Sequence, residues 1–147
     1  MDTLHGYYLE DLEVGMSASF AKTVSESDVY TFAGISGDFN PVHVNEEFAA
    51  TTPFKQRIVH GMFSAALIST VAGTKLPGPG AIYIDQQVKF RKPVFFGDTA
   101  CATVTITDID QRRGRVKAKT DVHVKDVLVA TGEATFMVNK RPTPEAA

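Results

Sequence analysis

The segment GMFSAALISTVA, residues 61–72, carries no charged side chain on any face of the helix that it is expected to form. A helix on a protein surface normally shows a polar stripe opposite its apolar face. This segment has none, so we expect a central helix that begins at Gly61 and is buried on all sides. The uncharged run around it, residues 58–74, falls short of the ~20 apolar residues of a membrane span.

The cover for this helix follows the turn sequence PGPG at residues 77–80. Alternation of apolar and polar residues predicts strands separated by turns, which is typical of an antiparallel sheet with one buried face. The expected strands are residues 15–22, 81–90, 99–107, 115–124 and 127–138. In the last strand, the residues expected to share the buried face are Leu128, Ala130, Ala134, Phe136 and Val138. The pattern therefore predicts an α+β fold, with an antiparallel sheet packed on an apolar helix.

The segment GDFNPVH, residues 37–43, holds the best candidates for chemistry. A helix capped by Ser25 is expected to end at Gly37, and Pro41 disfavours the helical region for Asn40. The backbone must turn, so Asp38 and His43 can converge. A carboxylate and an imidazole around one small reactant are what general acid–base catalysis requires. Asn40 either joins them or braces the turn through its own backbone.

Composition excludes several classes of protein. The 147 residues carry a formal charge of −2 and one cysteine, Cys101. We expect a single domain over residues 1–147, with its core at about 15–140 and a loose tail at 141–147. No cluster of Lys and Arg indicates nucleic-acid binding, and no signal peptide is evident. A lone cysteine fits a reducing compartment, so a cytoplasmic location is expected.

Other catalytic motifs are weak or missing. The chain has no Gly-x4-Gly-Lys phosphate loop and no Gly-x-Ser-x-Gly nucleophile turn. Asp38, His43 and His60 offer a carboxylate and two imidazoles to a metal. Their spacing lacks the His-x-Asp or His-x3-His pattern of common metal ligands, and we expect no metal. His60 is interpreted as structural.

Three blocks in order resemble one known family. They are YTFAGISGDFNPVHVN at residues 30–45, IVHGM at 58–62 and KPVFFGD at 92–98. Together they resemble the MaoC-like, or type 2, enoyl-CoA hydratases, above all the short (R)-specific enzymes, over about residues 15–140. The resemblance implies a hot-dog fold, a homodimer and a pocket for an acyl-CoA thioester where the two central helices approach.

The resemblance also implies roles for individual residues. Asp38 and His43 would hold a water that adds to C3 of a trans-2-enoyl thioester, giving an (R)-3-hydroxyacyl thioester. The Gly61 N–H would bind the thioester oxygen, and Ser69 would orient Asp38. No metal or redox cofactor is expected. The sequence does not choose which cations neutralise the phosphates of coenzyme A; the candidates are Arg57, Lys75, Arg91, Lys92, Arg112 and Arg113.

Three alternatives stay open at this stage. A 3-hydroxyacyl-ACP dehydratase runs the same chemistry in reverse on a carrier-protein substrate. A hot-dog acyl-CoA thioesterase uses a carboxylate to activate water against the thioester carbonyl. A non-enzymatic acyl-binding module would leave the acid–base pair unexplained.

Overall fold

A computed structural model of the chain describes residues 2–143. Five strands form one antiparallel sheet in the order β1-β3-β4-β5-β2. The strands are β1 Ser17–Thr23, β2 Ile82–Phe90, β3 Thr99–Asp110, β4 Arg115–Val124 and β5 Val127–Met137. The helices are α1 Glu26–Ser36, α2 Pro41–Val44, α3 Glu46–Thr51 and α4 Gly61–Thr74, and short 3-10 turns span Asp2–Leu4 and Leu9–Asp11.

The sheet buries one face, as the alternation predicts. Along β3 the buried residues are Ala100, Ala102, Val104 and Ile106, and along β4 they are Val116, Ala118, Thr120 and Val122. The buried side chains of β3 and β4 join those of α4 in one apolar core. The sheet thus holds α4 in a fixed position, and α4 carries part of the candidate site at its first residue.

The alternation fails at one place in β5. Val122 pairs with Ala130 while the next residue, His123, pairs with Leu128, so Val129 is an extra residue in the ladder. A β-bulge of this kind re-aims the side chains around it. Val129 is 2% exposed, whereas the period-two pattern had placed Leu128 on the buried face. The expectation for Leu128 is therefore wrong, because the bulge shifts the register by one residue.

One face of α4 is exposed within this single chain. The buried face consists of Ser64, Leu67, Ile68, Val71 and Ala72. On the other side Met62 is 61% exposed, and Ala66, Ser69 and Gly73 are also exposed. The expectation of burial on all sides is wrong for one protomer, since the sheet covers only one side of the helix. No helix between residues 2 and 143 is both long and apolar enough to cross a membrane.

The helical first half follows its capping signals. The Ser25 hydroxyl accepts the Asp28 N–H, and the Asp28 carboxylate accepts the Ser25 N–H in return. Gly37 ends α1 with a φ of 79°, a conformation that glycine adopts without strain. The single turn α2 was not expected. It forms because Asn40 caps it and Pro41 occupies its first position, which places His43 on a helical turn.

The chain ends are partly anchored. Arg141, the first residue of the segment expected to be loose, pairs with Asp11 at 2.5 Å and donates its backbone N–H to Glu10. Arg141 thus has contacts to the first part of the chain, and the looseness of the tail stays a prediction. Residues 144–147 of that segment lie outside the described residues.

Candidate active site

Asp38 lies on the exposed turn directly after α1. One carboxylate oxygen accepts the Asn40 N–H at 3.2 Å, and the backbone N–H of Asp38 donates to the Ser36 hydroxyl. The Asp38 carbonyl accepts a hydrogen bond from His60 Nε2 at 2.9 Å. The turn is therefore held from both sides of its backbone, and the carboxylate keeps capacity to accept further hydrogen bonds.

Asn40 braces this turn. Its side-chain oxygen accepts the Val42 N–H at 3.1 Å and so caps α2. Of the two roles open to it from sequence, the structure shows the local one. A contact to substrate would fall to its amide nitrogen.

His43 is buried, with 8% of its surface exposed. Its Nδ1 lies 2.8 Å from the Ile58 carbonyl oxygen. A carbonyl only accepts, so Nδ1 carries the proton and Nε2 presents a lone pair. Burial lowers the pKa of His43, opposed by the hydrogen bond to Ile58, and the nearby His60 lowers it further. The imidazole is therefore neutral near pH 7 and suited to accept a proton.

His60 links the site to α4. It is 2% exposed, and its ring stacks on that of His43 with centroids 3.8 Å apart. Because Nε2 donates to the Asp38 carbonyl, Nδ1 must be the unprotonated nitrogen, and it has no hydrogen-bond partner among residues 2–143. The sequence interpretation of His60 as structural missed its contact with Asp38. No local pattern signals that contact, since 22 residues separate the partners.

The three side chains meet at one point, as the turn sequence predicts for Asp38 and His43. One ligand-type atom from each of Asp38, His43 and His60 lies within 4.8 Å of the other two. This spacing would also suit a cation. However, His43 Nδ1 and His60 Nε2 already face carbonyl oxygens, which leaves each imidazole one nitrogen. Asp38 and His43 thus lie close enough together to act on one small reactant.

Gly61 is the first residue of α4 and adjoins His60. The first N–H groups of a helix have no partner within it and carry partial positive charge. A Cβ at Gly61 would lie 3.0 Å from the Phe90 ring, so only glycine leaves this approach open. Gly61 and His60 also line an open cleft of about 400 Å³, together with Phe54, Ile58, Val59, Ser64, Phe90, Arg91, Lys92, Pro93, Val94 and Val129.

Ser69 is not brought to the other site residues within this chain. It lies eight residues after Gly61 on α4, which is about 12 Å along the helix axis. Its side chain is on the exposed face of the helix. Any contact between Ser69 and Asp38 would have to cross to a second copy of the chain.

Arg57 holds the segment that carries the site. It pairs with Glu26 of α1 at 2.6 Å and with Glu46 of α3 at 2.7 Å, and its guanidinium lies over the Phe96 ring. These carboxylates raise its pKa, so its charge is permanent. The carbonyl of the next residue, Ile58, accepts the hydrogen bond from His43 Nδ1. Arg57, a candidate for phosphate binding on sequence alone, is therefore occupied by structural contacts.

Comparison with known proteins identifies a family for this chain. Residues 11–127 match the family model described as "MaoC like domain". The chain is 55% identical over 140 residues to an (R)-specific enoyl-CoA hydratase of Rhodospirillum rubrum, covering 95% of this chain and 97% of the relative.

Two solved structures share the fold. The (R)-hydratase from Aeromonas caviae involved in PHA biosynthesis superimposes with a TM-score of 0.84 at 40% identity, covering 90% of this chain and 99% of that one. R-hydratase PhaJ1 from Pseudomonas aeruginosa gives a TM-score of 0.85 at 38% identity, covering 95% of each chain. The hot-dog fold inferred from the resemblance is confirmed. On its sequence and its fold, the chain belongs to the MaoC-like dehydratase family.

Proposed function

We propose that the protein is an (R)-specific enoyl-CoA hydratase. It adds water reversibly and syn across the double bond of a trans-2-enoyl-CoA and releases the (R)-3-hydroxyacyl-CoA. The observation that carries this proposal is the pairing of Asp38 with His43, whose tautomer the Ile58 carbonyl sets so that Nε2 can accept a proton.

The mechanism follows from this arrangement. Asp38 and His43 hold one water, take a proton from it as its oxygen attacks C3, and return a proton to C2. Negative charge develops on the thioester oxygen during attack, and the Gly61 N–H at the start of α4 stabilises it. The thioester provides the activation, so no metal or redox cofactor takes part. Because both groups act on the same water, the proton steps are assigned to the Asp38–His43 pair as a whole.

The proposal includes a cytoplasmic homodimer. Strand β2 pairs only with β5 among the described strands, which leaves its outer edge open to a second copy. Ile82, Tyr83 and Ile84 on this strand are 49%, 36% and 46% exposed. The proposed dimer also covers the exposed face of α4. If the two α4 helices run antiparallel about residue 65, Ser69 of the partner subunit lies opposite Gly61, close enough to orient Asp38.

Hydration of crotonyl-CoA tests the function directly. Loss of the absorbance of the conjugated double bond reports water addition, and release of free thiol is followed in parallel. The reaction is repeated in deuterated water, the product is resolved on a chiral column, and the configuration at C2 is determined. The expected product is the (R)-3-hydroxy thioester formed by syn addition.

Each other outcome contradicts a specific part of the proposal. An (S) product rejects the assigned stereochemistry. Anti addition means that the proton comes from a residue outside the Asp38–His43 turn. Free CoA and crotonate identify a thioesterase. A much higher rate on a carrier-protein thioester identifies a 3-hydroxyacyl-ACP dehydratase.

A further inference from the structure

The structure separates the basic residues that the sequence left equivalent. Arg57 is held by Glu26 and Glu46. The Lys75 ammonium donates to the Ser19 carbonyl at 2.6 Å and lies over the Phe20 ring. These two cations have structural partners, so they are poor candidates for binding a substrate.

Arg91 and Lys92 are placed differently. They directly follow β2, and both donate their backbone N–H groups to the Val129 carbonyl, at 2.8 and 3.2 Å. Both side chains are exposed, and both residues line the cleft that reaches Gly61 and His60. The bulge at Val129 thus fixes the backbone of two adjacent cations on the cleft that His60 and Gly61 also line.

A second depression continues the cleft outward. It has a volume of about 350 Å³ and shares Lys92, Pro93 and Val129 with the first; Phe95, Asp98, Val124, Lys125 and Val127 complete its walls. The path therefore has an apolar floor with cations along its rim. Apolar contact suits a pantetheine arm, and exposed cations suit the charged groups at its end.

The acidic groups near this rim do not pair with its three cations, which can therefore bind an anionic ligand. Arg91, Lys92 and Lys125 form no ion pair within residues 2–143. The nearby acidic groups are Asp98, whose carboxylate accepts the Phe95 N–H at 2.9 Å, and Asp126, next to Lys125 in the β4–β5 turn. The rim thus carries three positive and two negative charges. One of the two carboxylates, that of Asp98, is already bonded to the Phe95 N–H.

We propose that Arg91, Lys92 and Lys125 bind the phosphate groups of coenzyme A, with the pantetheine arm lying between Phe90 and Val129 and the thioester at Gly61. The assignment rests on the proposed hydratase function. Guanidinium and ammonium groups are strong partners for phosphate oxygens. The rim therefore distinguishes a CoA thioester from the same thioester without its nucleotide.

The test compares two substrates in one variant. Arg91→Gln with Lys92→Gln removes two charges and leaves both backbone N–H bonds to Val129. KM for crotonyl-CoA should rise roughly tenfold, since each exposed charge contact is worth a few-fold. The kcat value and the kinetics on crotonyl-pantetheine, which lacks the nucleotide phosphates, should stay unchanged. The effect on crotonyl-CoA should shrink at high salt.

A matched control is present in the chain. Arg112 and Arg113 are also adjacent, exposed and basic, but they lie on the β3–β4 turn and line neither depression. Arg112→Gln with Arg113→Gln should leave both substrates unaffected. If both double variants raised KM for crotonyl-CoA equally, only the overall charge of the protein would matter, and the proposed phosphate site would be wrong.

The remaining outcomes also decide the proposal. Equal losses on crotonyl-CoA and crotonyl-pantetheine would mean that Arg91 and Lys92 act on the thioester end or on folding, and would overturn it. A loss confined to a crotonyl carrier protein would make the rim a protein-docking surface instead. Binding of CoA alone, measured by calorimetry, tests the phosphate site independently of the hydratase reaction. Binding that depends on Arg91 and Lys92 supports the rim even if no hydration occurs, and binding that ignores them overturns it.

Discussion

At the scale of single residues, backbone carbonyls decide which nitrogen of each site histidine carries the proton. The Ile58 carbonyl accepts a hydrogen bond from His43 Nδ1–H, and the Asp38 carbonyl accepts one from His60 Nε2–H. The stacked rings keep His43 beside His60, in the same cluster as the Asp38 carboxylate. The site thus contains a neutral base and a carboxylate in fixed orientation before substrate binds.

Removal of either partner should abolish most of the activity without unfolding the protein. Asp38→Asn and His43→Gln should each lower kcat on crotonyl-CoA by roughly 10²–10⁴, the usual contribution of a positioned acid–base group. The double variant should be little worse than the weaker single variant, because both groups act on one water. Circular dichroism confirms folding. More than about a tenth of wild-type activity in Asp38→Asn, against the loss expected of a general acid–base, would contradict the assignment.

The lowered pKa of His43 predicts the acid side of the pH profile. Burial holds this pKa below its ordinary value of 6.5. The neutral base therefore persists to lower pH, and kcat/KM should begin to fall only below pH 6.5. Unfolding frees the imidazole to take a proton that the folded state resists, so stability is full above pH 6.5 and decreases as the pH falls.

Thermal unfolding between pH 7 and pH 5 tests whether stability decreases as the pH falls. Tm should fall over this range, and the fall should be smaller in His43→Gln, which has no imidazole to protonate. An increase in wild-type Tm toward pH 5 that disappears in His43→Gln would show that His43 binds its proton more tightly when folded.

At the scale of elements, the first residue of α4, Gly61, meets Phe90, the last residue of β2, at one end of the cleft. A methyl group at Gly61 would lie 3.0–3.2 Å from atoms of the Phe90 ring, which is 52% exposed and can shift. Gly61→Ala should therefore change Tm little while lowering kcat/KM roughly 10²-fold by displacing the thioester.

A second variant separates crowding from unfolding. Phe90→Leu removes the ring that the new methyl group meets, and combining it with Gly61→Ala should restore any Tm loss but not the turnover. If turnover recovers together with Tm, the glycine serves only packing against Phe90.

At the scale of the whole molecule, the open edge of β2 and the exposed face of α4 predict an active dimer. Ile84→Lys places a charge on the edge strand, a substitution that opposes strand pairing. It should give a monomer by light scattering, with activity lost because Ser69 of the partner subunit is absent. Ile35→Lys is the control for an added surface charge, since Ile35 is 79% exposed and lies on α1 instead of the edge strand. A fully active monomer would rule out a shared site.

The sequence by itself determined most of the elements and the proximity of Asp38 to His43. Caps and period-two alternation are local signals, so the limits of α1, β4 and the start of α4 follow from them. Asp38 and His43 are five residues apart on one turn, so no long-range contact is needed to bring them together.

Only the tertiary structure decided the rest, because it depends on contacts between residues distant in sequence. His60 reaches Asp38 across 22 residues, and Arg57 reaches Glu26 across 31. The bulge at Val129 arises from its register with β4 and holds Arg91 and Lys92 at the cleft. Local pattern carries no information on such pairings, since they are set by how the sheet packs on α4.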